Sequence, residues 1–189
     1  MASTPINATE VSRIAGALWG IKLGHPHMAA ALTAIDAYGL TSVVNEAYRN
    51  DFGALSHAVI AANVVANVGI TGAAAGNAVA AVKATLDGAA PGDQGAALLA
   101  LLDSFSGMTA DATYGSFANE FNTRVTAALA NAALAGSDLA MFGPDQWGHL
   151  PFSLSTGTDV QIGSAADDTF NARLVDGPSP LTTGDRLDG

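Results

Sequence analysis

The residues most suggestive of chemistry lie near the end of the chain. Thr156-Gly157-Thr158-Asp159 is followed by Gly163-Ser164-Ala165-Ala166-Asp167-Asp168-Thr169-Phe170, and then by Thr183-Gly184-Asp185-Arg186-Leu187-Asp188-Gly189. Calcium takes six to eight oxygens from carboxylates and backbone carbonyls, and glycine permits the turns that aim carbonyls inward. Asp168-Thr169-Phe170 and Asp185-Arg186-Leu187 also fit the end of the repeat G-G-x-G-x-D-x-U-x. In that repeat Asp binds the ion and the following apolar residue enters a narrow core. Ordinary Asp/Gly turns would give the same letters, and both readings stand at this point.

No other pattern carries chemistry of comparable specificity. The chain has no G-x-S-x-G, H-E-x-x-H, G-x-x-x-x-G-K-[ST], or post-strand G-x-G-x-x-G. With no cysteine, it has no disulfides, thiolate metal sites or thiol nucleophiles. His25-Pro26-His27 supplies two imidazoles, one or two fewer than a transition-metal site needs, and reads as a solvated interhelical turn. His57 and His149 read as isolated surface or capping residues. The expectation is a protein that is not an enzyme.

The elements that position these residues divide the chain. Residues 1–150 hold 11 acidic and 5 basic side chains, and residues 151–189 hold 6 and 2. The first part is Ala-rich with helical periodicity, the second rich in Thr, Ser, Gly and Asp. We place the boundary between Pro144 and Pro151. The formal charge of −10 disfavours nucleic acid and anionic lipid and favours cations. Residues 1–13 have no basic leader, and no apolar run approaches 18 residues free of Gly and charge, so neither a signal peptide nor membrane insertion is expected.

Within the first part, apolar spacing predicts seven helices punctuated by glycine. One carries Val11, Ile14, Leu18 and Ile21 up to Gly24; the second opens at Pro26 and ends at Gly39. The third runs from a Thr41 cap to Gly53, and the fourth from a Ser56 cap through Val68. Ala73 to Leu86, Asp93 to Ser106 and Ala112 to Ala135 complete the set. Short Gly/Pro connections suggest an antiparallel bundle. The stripe Tyr114, Phe117, Phe121, Val125 and Leu129 reads as core. After the boundary, Phe152, Leu154, Val160 and Ile162 alternate with polar residues, as in short strands joined by turns. The fold class is therefore mainly α, followed by a β- and turn-rich segment.

The tail, together with Tyr114-Gly115-Ser116-Phe117-Ala118 running into Phe121-Asn122-Thr123-Arg124-Val125, resembles the N-terminal region of RTX-type surface-layer (S-layer) proteins of Gram-negative bacteria. The resemblance implies a helical module, residues 1–150, that anchors a secreted protein to lipopolysaccharide O-antigen on the cell surface. Residues 151–189 would lead into a calcium-binding RTX β-roll. Export through type I secretion and self-association through the parent protein belong to the same picture. Carried over by position, Asp159, Asp167, Asp168, Asp185 and Asp188 are the Ca²⁺ candidates. The chain stops at Gly189, where a second repeat glycine would follow, which suggests an N-terminal fragment.

A polysaccharide groove needs aromatic platforms and polar partners. Trp147, Trp19, Tyr48, Arg49 and Asn50 are the leading candidates; Tyr38, Tyr114, Asn45, Asp51, Asn122 and Arg124 are the wider set. The alternative reading is a non-catalytic self-association domain of a secreted RTX adhesin or enzyme.

Overall fold

The computed structural model describes residues 5–142, 160–162 and 186–188. The chain divides into two units, Met1–Gly143 and Pro144–Gly189. Among the described residues the first unit is mainly helical: α1 Pro5–Trp19, β1 Ile21–Lys22, α2 His25–Tyr38, α3 Leu40–Phe52, α4 His57–Val68, α5 Ala73–Gly88, α6 Gln94–Ser106, α7 Gly115–Ala133 and β2 Ala140–Met141. In the second unit, β3 Val160–Ile162 pairs in parallel with β4 Arg186–Asp188, Val160 facing Arg186 and Ile162 facing Asp188.

The helices sit where apolar spacing predicts them, with corrections at Ile21, Thr41 and Ala112. Thr41 does not cap α3 but lies inside it, because Gly39 at φ 84° is the N-cap and no side chain caps the helix. Ile21 is not on the first helix. Gly20, at φ 69°, ends α1, and Ile21 instead pairs with Met141 in an antiparallel two-stranded ribbon. Asn67 donates to the carbonyls of Ala17 and Leu18, which α1 leaves without helical partners. At the other end, α7 begins at Gly115 rather than Ala112. The Asp111 carboxylate accepts the backbone N–H of Thr113 and Tyr114 and holds the preceding residues in a turn.

Ser56 does cap α4: its hydroxyl accepts the Val59 N–H, an arrangement worth about 1 kcal/mol. The chain turns by 111° between α3 and α4, short of the full reversal of an antiparallel hairpin. No single helix among the described residues is long and apolar enough to cross a membrane.

One large core joins α1 and α3–α7. At its centre Phe121 and Leu98 are fully buried, and Phe121 lies 5.7 Å from both Phe105 and Phe142. Phe142 arrives by way of the β1–β2 ribbon and covers Gly16, where a Cβ would come within 2.5 Å of the ring. A smaller cluster of Val11, Met28, Ile35 and Ala132 holds α2 against α1 and α7. Helices α3 and α6 approach closely because Gly95 has no side chain: a Cβ there would lie 2.6 Å from the Val44 carbonyl oxygen.

Candidate functional site

The close α3–α6 contact fixes the end of α3, where several of the sequence's candidate residues meet. Trp19, the last residue of α1, is half-buried. Its ring lies 5.2 Å from Phe52 in an edge-on arrangement, and its indole N–H donates to Asp51 at 2.9 Å. Tyr48 sits one helical turn before Phe52, their rings 6.1 Å apart. Arg49 and Asn50 are exposed between them on α3. Trp19 and Tyr48 thus pack on Phe52, and Arg49 lines the same cleft as Phe52, while Asn50 is exposed on the same turn of α3.

Tyr48 corrects the expectation in one respect. It is only 4% exposed, so its ring face belongs to the core and is not an open stacking platform. Apolar neighbours at i+4 and on α6 account for this. Its hydroxyl is buried without a hydrogen-bond partner among the described residues, and burial pushes the phenol above its ordinary pKa.

Beside it lies a cleft of about 180 Å³ lined by Tyr48, Arg49, Phe52, Gly53, Leu55, His57, Gly92 and Gln94. Apart from Tyr48, each polar lining side chain is partly engaged. His57 Nδ1 lies 2.8 Å from Asp87 Oδ1, and Lys83 pairs with the other Asp87 oxygen. The Lys83 and His57 hydrogen bonds together hold the Asp87 carboxyl below the usual range. Gln94 Oε1 accepts the Gly92 N–H at 3.0 Å. Arg49 lies 3.9 Å from Glu46, with both side chains about two-thirds exposed (65% and 67%). Such a pair contributes little to stability and leaves the guanidinium free to reorient.

His57, Asp87, Gly92 and Gln94 were not legible as site residues. They come from the start of α4, the end of α5, the following loop and the first residue of α6, and only tertiary packing assembles them. Of the wider candidates, Asn45 accepts the Ala96 N–H and donates to Asp93, which ties α3 to α6. Asn122 donates to the Ser106 carbonyl, and Arg124 to the Asn67 carbonyl and Glu120. These three serve the fold. Tyr38 is 75% exposed at the end of α2, and Tyr114 packs half-buried against the core.

His25 Nδ1 contacts the Ala132 carbonyl and His27 lies 3.8 Å from Asp138. Among the described residues no group of three or more His, Asp or Glu side chains is placed to hold a metal ion. Trp147, Asp159, Asp167, Asp168 and Asp185 lie outside the described residues; Asp188 closes β4 opposite Ile162.

No family model, curated protein or solved structure matches the chain. Its function is therefore argued from its own residues.

Proposed function

We propose that the chain is the anchoring module of a secreted, surface-layer-type protein, and that the end of α3 in its helical unit binds cell-surface polysaccharide such as lipopolysaccharide O-antigen. The observation that carries this reading is the gathering of Trp19, Asp51 and a cleft containing Arg49 around Phe52, with Asn50 exposed on the same turn of α3. A half-buried indole beside exposed amide, carboxylate and guanidinium groups offers an apolar ring and directional hydrogen bonds together, the two things a pyranose requires. The role is binding rather than catalysis.

In the same reading the second unit begins an RTX-like β-roll and binds Ca²⁺ through Asp159, Asp167, Asp168, Asp185 and Asp188. The parallel pairing of β3 with β4 supports it, because calcium repeats of this kind stack their strands in parallel. Leu187, the apolar position after Asp185, falls in β4 opposite Gln161.

The test is cosedimentation of the purified chain with Gram-negative cells bearing smooth lipopolysaccharide and with isogenic cells lacking O-antigen. Binding to the first and not the second is expected. Equal binding to both would sink the proposal.

A further inference from the structure

The two core clusters of the helical unit do not close fully on one another. Val11 belongs to the smaller cluster, Ile14 and Val44 to the larger, and between them α1, α2, α3 and the strand β1 border a cavity of about 260 Å³. Small side chains leave this space: Ala15, Ala31 and Ala47, one from each helix, line it where longer residues would fill it. Val11, Ile14, Ala15 and Val44 are buried and form the floor. Trp19, Leu23 and Val43 are half-buried at the rim, so the cavity is open to solvent on one side.

Its length and its volume select the same ligand. Val11, Ala15 and Trp19 stand in one i, i+4 row of α1, which spreads the lining along about 12 Å of helix. A carbon–carbon bond of about 1.5 Å advances an extended zigzag by roughly 1.3 Å, so this length matches about nine carbons. An apolar cavity of about 150 Å³ takes one benzene, and on that ratio 260 Å³ takes about ten carbons. Water in such a space finds almost no hydrogen-bond partner.

One end of the cavity is polar. The Trp19 indole N–H is already given to Asp51. His27 is the one ionisable side chain in the lining and stands at the mouth, 45% exposed. Its Nδ1 lies 3.8 Å from Asp138 Oδ1, beyond hydrogen-bond length. A hydroxyl both donates and accepts, so it can bond an imidazole of either tautomer. A carboxylate in the same place would crowd the Asp138 carboxylate.

We infer that this cavity binds one free, uncharged medium-chain aliphatic molecule, its chain lying along α1 and its hydroxyl at His27. The inference goes beyond the anchoring role and does not depend on it.

The experiment titrates the full chain carrying Trp147→Phe, which leaves Trp19 as the single tryptophan, and follows its emission. The probes are n-hexanol, n-octanol, n-decanol and n-tetradecanol. Affinity is expected to rise about fourfold per methylene up to decanol and to gain nothing further at tetradecanol. Decanoate is expected to bind more weakly than decanol. Ala15→Leu fills the floor and is expected to abolish the response without lowering the melting temperature. Ala47→Leu, at a half-buried position, is expected to do the same from the rim and checks the result should Ala15→Leu fold poorly. His27→Ala is expected to lower the affinity for decanol about fivefold.

Affinity that keeps climbing from decanol to tetradecanol would mean adsorption to exposed apolar surface and would overturn the inference. Decanoate matching decanol would also overturn it, as would full affinity in His27→Ala or in both leucine variants. A response to phosphatidylcholine vesicles with every free alcohol silent would put a lipid surface in place of the free ligand and overturn it too.

Discussion

Trp19 closes α1 by donating its indole N–H to Asp51, in the last turn of α3, at 2.9 Å. The same indole meets Phe52 edge-on at 5.2 Å, so two adjacent residues of α3 hold one side chain of α1. The relationship fixes the position of an aromatic ring at the proposed binding face. It is measurable without any ligand. A double-mutant cycle of Trp19→Phe and Asp51→Ala is expected to give a coupling of about 0.5–1.5 kcal/mol in chemical denaturation, as for a single hydrogen bond. Zero coupling would mean that the bond does not form in solution.

The approach of α3 and α6 makes a second expectation, stated as a contrast between two glycines. A Cβ at Gly95 would come within 2.6 Å of the Val44 carbonyl oxygen, a backbone atom that cannot swing aside. Gly95→Ala is expected to cost about 1–3 kcal/mol through overpacking. Gly76, within α5, has nothing within 4 Å of its Cβ position. Gly76→Ala is expected to stabilise by about 0.4–1 kcal/mol by narrowing the unfolded ensemble and favouring the helix. Melting temperatures that move in the same direction for both variants would contradict the packing described.

Acid stability supplies a third expectation. The Asp87 carboxyl is held low first by its hydrogen bond to Lys83 and then by that to His57. A carboxyl whose pKa is lower in the folded than in the unfolded chain contributes stability above its ordinary value of 3.8. That contribution is lost as pH falls below 3.8 and through the lower folded value. Asp87→Asn is therefore expected to narrow its stability gap to the parent between pH 5 and pH 2, followed by denaturation midpoints (the window is about that of a depressed carboxylate). A constant gap across that range would exclude the assignment. Asp87 is solvent-exposed, so the effect will be modest and will shrink with added salt.

The helices were legible because Ala-rich segments with regular apolar spacing end at glycines, and local rules govern both features. Ser56 is the clearest case: a serine before an apolar run became a cap bonded to Val59. The spacing of Ile21 fits the helical face, but Gly20 at positive φ and pairing with Met141, 120 residues later, draw it into a strand. Tyr48 stands beside polar residues in sequence, the pattern of an exposed platform. Its burial follows from α6, whose Gly95 lets the backbones close up, a consequence no local pattern contains. Arg49 and Asn50 are exposed on α3. His57, Asp87 and Gln94 meet across intervals of 30 and 7 residues, and neither spacing carries a motif.

The calcium proposal for the second unit is tested by limited proteolysis of the whole chain in millimolar Ca²⁺ and in chelator. Cleavage within residues 151–189 is expected to slow in Ca²⁺, because a ligand bound only by the folded form stabilises it by about 2.7 kcal/mol at a hundredfold excess over its Kd. Replacing Asp185 and Asp188 with Asn is expected to reduce that protection. Equal cleavage rates in both buffers would remove calcium from this segment's role.

The central claim is that polysaccharide is bound at the end of α3. Its most direct measurement is NMR chemical-shift mapping of the full chain titrated with O-polysaccharide purified from smooth lipopolysaccharide. The account expects the largest shifts at Trp19 and across residues 48–52, with the Trp19 indole N–H among them. Shifts confined to other faces of the helical unit, or no shifts at saturating polysaccharide, would contradict it.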